Sequence, residues 1–65
     1  MGRHQEIELE IRRQAIRLEP KAAALFELPR LVYAKIVEDN ATRKKPFKIG
    51  YARVQKVIRS MAEFQ

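Results

Sequence analysis

GYARVQKVIRSMAEF, residues 50–64, is the stretch on which the fold turns. Tyr51, Val54, Ile58 and Met61 recur at helical spacing with Ala62 beside them, while Arg53, Lys56, Ser60 and Glu63 fall nearly opposite and Arg59 borders them. The spacing predicts a helix over about residues 50–64, with an apolar back for a core and a basic front for an anion. The segment before it, ATRKKPFK at residues 41–48, is polar and basic, and Pro46 marks it as a connector. Phe47 and Ile49 are expected to turn back into the core.

Further upstream, Leu28, Val32 and Ile36 share a stripe flanked by Tyr33 and Val37, which predicts a helix over about residues 29–39 that ends at Asp39-Asn40. Glu19-Pro20 suits a helix start, because proline lacks only a donor that the first helical position does not need. A short buried helix is therefore expected over residues 20–27, with Pro29 dividing it from the next. Residues 5–18, QEIELEIRRQAIRL, support two periods. Ile7, Leu9 and Ile11 alternate as on a strand, whereas Ile7, Ile11, Ala15 and Leu18 follow a helix. Helix is preferred, since Glu8 can pair with Arg12 one turn on and acids precede arginines in the direction that suits the helix dipole. A strand over residues 6–12 stays open as the alternative, and Leu9 and Ile16 widen the apolar face.

Together these elements predict an all-α fold. It is a single domain over residues 1–65 with three or four helices and a helix-turn-helix-like C-terminal half. Sixty-five residues allow one core, because a chain this short buries only about 60% of its extended surface. The 46% hydrophobic and 34% charged composition is that of a folding chain rather than a disordered one. There is no cysteine, and His4 is the sole histidine, so neither a disulfide nor a metal staple is expected, and no cofactor. Burial from self-association as a homodimer, or from a partner, is expected instead.

One His, no Cys and carboxylates of surface type supply no nucleophile with an adjacent base, so the chain is read as a binding protein and not an enzyme. Glu6, Glu8 and Glu10 are read as an ordinary solvated helix start. No apolar run approaches the roughly 20 residues that span a bilayer, and no secretory signal is visible, which places the chain in the cytoplasm with no membrane partner.

Charge divides by position. Through residue 42 seven acids balance seven basic residues, and the net +6 lies wholly beyond that point. Arg43, Lys44, Lys45, Lys48, Arg53, Lys56 and Arg59 stand there against Glu63 alone, and residues 41–62 hold no acid. A one-sided field of this kind favours a polyanion. Duplex DNA is the preferred partner: Arg43, Lys44, Lys45 and Lys48 as phosphate contacts, and Arg53, Gln55, Lys56 and Arg59 as candidates for base edges. RNA ranks below it, for want of a glycine-rich clamp or an aromatic stacking platform. The rival reading is a protein-interaction module, a small adaptor or inhibitor that offers the apolar 18–37 segment and a basic face to an acidic protein partner.

FKIGYARVQKVIRSMAEF, residues 47–64, resembles the recognition-helix region of the winged-helix DNA-binding domain of FtsK-type bacterial DNA translocases. The resemblance rests on Phe47, Ile49-Gly50-Tyr51, Arg53, the Val57-Ile58 pair and Met61, with Glu63 displaced by Ala62. It implies that the last helix enters the major groove. The sequence departs from that pattern in the short stretch over residues 37–47 and in Pro46.

Overall fold

The computed structural model describes residues 3–64. Three α-helices form the domain, α1 at His4–Leu18, α2 at Leu28–Asn40 and α3 at Tyr51–Ser60, and no strand occurs among the described residues. The all-α fold expected from the sequence is the one observed, with three helices rather than four.

The ambiguity over residues 6–12 resolves to helix, and α1 buries Ile7, Glu10, Ile11, Gln14 and Ala15. Those positions follow the helical three-and-four spacing, so the apparent strand alternation is an accident of Leu9 lying between two core isoleucines. Leu9 itself is 66% exposed and Ile16 53% exposed. The core-facing stripe is completed by Glu10 and Gln14 in their place.

The expected helix over residues 20–27 is replaced by two 3₁₀ turns, Glu19–Lys21 and Leu25–Glu27. Between them Ala22 and Ala24 are extended, at φ/ψ of −79°/135° and −149°/155°. Isolated helices need many more residues than this before propagation offsets the unfavourable first turn. Pro20 and Pro29 bracket the segment and leave it too short. Leu28 is helical at φ −59° and ψ −43° although it precedes Pro29, so α2 begins one residue earlier than the proline suggests. The bias against that conformation is overcome because Leu28 is fully buried.

α3 is also shorter than its apolar pattern. The Ser60 hydroxyl donates to the Val57 carbonyl at 2.8 Å, a local bond that competes with continued helix. Met61 then turns to extended geometry, ψ 123°, and its side chain is fully buried. A 3₁₀ turn over Ala62–Phe64 follows. The core joins Ile7, Ile11 and Ala15 of α1 to Leu28, Val32 and Ile36 of α2 and to Val54, Val57 and Ile58 of α3, closed by Met61. Val57 occupies the place in the stripe that the sequence offered to Tyr51. Tyr51 instead lies 39% exposed with its ring edge-on to Tyr33 at 5.9 Å. Phe47 and Ile49 pack against the core from the connector, as expected.

Ten residues, 41–50, join α2 to α3. A helix-turn-helix uses a turn of about three or four residues, so the route from α2 to α3 differs from that motif. The longer path lets the chain cross to the N-terminal end of α1 before α3 begins.

Candidate nucleic-acid interface

The connector is anchored at several points along its length. At its base, the Asn40 amide accepts from the Phe47 backbone N–H through Oδ1 at 3.0 Å and donates to the Phe47 carbonyl through Nδ2 at 2.9 Å. Asparagine carries one acceptor and one donor side by side, so a single side chain satisfies both backbone groups of one residue. Arg3 reaches across from the start of α1, and its Nη1 donates to the Pro46 carbonyl at 3.2 Å. The Phe47 ring meets two guanidinium groups, Arg3 at 4.4 Å and Arg43 at 4.7 Å from its centroid. Lys44, Lys45 and Lys48 are exposed on the loop so fixed.

Arg43 is placed differently from its neighbours. Its Nη2 donates to Glu10 Oε2 at 2.9 Å and lies 3.8 Å from Asp39. Glu10, read from the sequence as part of a solvated helix start, is instead buried, at 8% exposure. It accepts from Arg13 at 2.9 Å and Gln14 at 3.0 Å as well as from Arg43. Arg43 is thus engaged within the fold, where it ties the connector to α1. Glu6 and Glu8 do sit on the solvated side, paired with Arg3 at 3.8 Å and Arg12 at 3.1 Å.

Burial pushes the Glu10 carboxyl up, but the hydrogen bonds from Gln14, Arg13 and Arg43 outweigh it and hold the group below its ordinary 4.5. A depressed folded-state pKa adds stability that is complete above the unfolded value and is lost as pH falls through the folded one. Glu10→Gln keeps the shape and removes the charge. It is expected to cost about 1.5–3 kcal/mol at neutral pH, the range for hydrogen bonds to charged groups. The cost should shrink on acidification below 4.5, and urea unfolding of both proteins at neutral and acid pH measures it.

On α3 the exposed face is centred on Ala52, Lys56 and Arg59. Arg53 is rotated toward α1, half-buried, and its Nη2 donates to the His4 carbonyl at 3.0 Å. A groove lined by His4, Glu8, Arg53, Lys56 and Ser60 runs between the two helices there. Gln55 borders the opposite side of α3, next to Leu25 and Phe26. Arg3 bonds the connector while adjacent His4 accepts from α3, so the N-terminus of α1 holds both basic elements at one end of the domain. Asn40 and Arg3 were not singled out in the sequence. Their roles depend on Phe47 and Pro46 returning to them, and the nearest signal is the Asp39-Asn40 helix end. Compared with known protein families, curated proteins and solved structures, the chain matches none.

Proposed function

We propose that this domain binds duplex DNA through the exposed face of α3 together with the anchored basic connector. The observation that carries the reading is the placement of Lys44, Lys45 and Lys48 on a loop held by Asn40 and Arg3, beside a helix whose outer face presents Lys56 and Arg59. No acid interrupts this run over residues 41–62. Lysines on a fixed loop lose less conformational freedom on meeting phosphates than lysines on a loose tail. Gly50 gives α3 no side-chain cap and its first turn carries no acid, so the positive end of the helix dipole adds to the same field.

In this reading Lys44, Lys45 and Lys48 set position on the backbone, and Gln55, Lys56 and Arg59 reach the base edges. Arg53 reinforces the α1 side of the helix. The longer connector makes the docking geometry a helix plus a basic loop rather than a tight helix-turn-helix, and the resemblance of residues 47–64 to a DNA-reading helix supports α3 as the element in the groove. A transcriptional or other DNA-transaction role would follow from such binding.

Fluorescence anisotropy with a labelled mixed-sequence duplex over a range of salt concentrations tests the proposal. Binding should weaken steeply with salt, with a log–log slope of roughly −3 to −5 if four to five phosphates are neutralised at about 0.9 each. Absence of duplex affinity at low salt would refute it.

A further inference from the structure

α3 has a second side that the DNA reading leaves unexplained. Between the C-terminal half of α3 and the 3₁₀ turn Leu25–Glu27 lies an open cleft walled by Leu25, Phe26, Pro29, Ile58 and Phe64, with Gln55 and Arg59 as its polar members. Its volume of about 490 Å³ is in the range of sites that accept a bulky side chain. Phe26 is 80% exposed and Leu25 48% exposed at its mouth. An adjoining depression over Phe26 brings in Arg30 and Tyr51, with Glu27. Large apolar side chains gathered around a concavity are unlike apolar residues scattered singly over a surface, and they mark a contact site.

The charge around the cleft selects the occupant. Its lining contains a cation and no carboxylate, and the chain as a whole carries +6. A second copy would bring the same excess of positive charge and the same arginines into contact, which like-charge repulsion opposes. A nucleic-acid backbone would gain nothing from walls of Leu, Phe and Pro. A segment that is both acidic and apolar satisfies walls and rim together. We propose that this cleft docks an acidic amphipathic helix of a partner protein, which inserts a bulky apolar side chain beside Phe26 and sets carboxylates toward Arg59 and Arg30. Because Gln55 and Arg59 belong to both the cleft and the DNA-facing helix, the partner and a duplex compete for the domain.

The test uses the full chain without DNA, so its outcome is independent of the DNA reading. The probe is a synthetic peptide in which Leu and Phe recur at helical spacing among glutamates, followed by amide chemical shifts of the labelled protein. Saturable binding is expected, with shifts at Leu25, Phe26, Gln55, Ile58 and Phe64. Phe26→Ser, and Leu25→Ser as a second surface variant, should each weaken binding about tenfold with the helical spectrum unchanged. A control peptide with serine in place of its Leu and Phe, equal in charge, should bind at least about tenfold more weakly. Equal binding of the control, indifference to both substitutions, shifts confined to the connector or to Leu9 and Ile16, or no saturable binding would each overturn the proposal. So would concentration-dependent shifts at the cleft without peptide, which would assign it to a second copy.

Discussion

Ile36→Ala is expected to leave most of the protein unfolded at room temperature. Ile36 is fully buried in the middle of α2, in the cluster that joins all three helices. Truncating such a side chain costs about 2–5 kcal/mol, through lost transfer energy and the cavity left behind. A single core in a chain this small supplies only about 3–5 kcal/mol of stability in the absence of staples, and there is no cysteine to provide one. The loss is therefore comparable to the whole. Ile36→Val should cost about 0.5–1.5 kcal/mol and remain folded. Far-ultraviolet circular dichroism with urea titration separates these outcomes. An Ile36→Ala protein as stable as the parent would mean that the helices do not depend on this core.

The second large effect is on binding. Lys44→Glu/Lys45→Glu/Lys56→Glu should lower duplex affinity by at least about a hundredfold at low salt and flatten the log–log salt slope by roughly 2.7, about 0.9 for each phosphate contact removed. All three side chains are exposed, and changes at such positions move folding stability by only about 0.5 kcal/mol each way. Arg43 is left out of this set. Reversing its charge would place a carboxylate beside Glu10 and Asp39, and the result would report on folding as well as on DNA. Wild-type affinity in the triple variant, measured on a protein with an unchanged helical spectrum, would remove the connector and the α3 face from the interface.

The helices and most of the core were legible in the sequence because both follow from local periodicity. Leu28, Val32 and Ile36 read as a stripe and are all fully buried. The departures come from interactions that local pattern does not encode. Glu10 looked like its solvated neighbours Glu6 and Glu8, yet it is buried because Arg43, 33 positions away, returns to meet it. Arg43 in turn looked like the first of a basic run. The two-bond clamp from Asn40 to Phe47 requires the chain to double back over seven positions, and composition gives no hint of it. Tyr51 and Val57 exchanged places because a short α3 turns Val57 inward, while Tyr51 at its first turn meets Tyr33 at the domain edge. The free lysines were correctly located as exposed, since nothing in the fold supplies them with acids.

The most direct measurement of the DNA proposal is an amide chemical-shift titration of the labelled chain with a short duplex. The largest changes should fall on Lys44, Lys45, Lys48, Ala52, Lys56 and Arg59, with Leu9, Ile16 and Val37 unmoved on other surfaces. Changes centred on the outer face of α1, or none at duplex concentrations that saturate anisotropy, would contradict the assignment of the DNA contact to α3 and its connector.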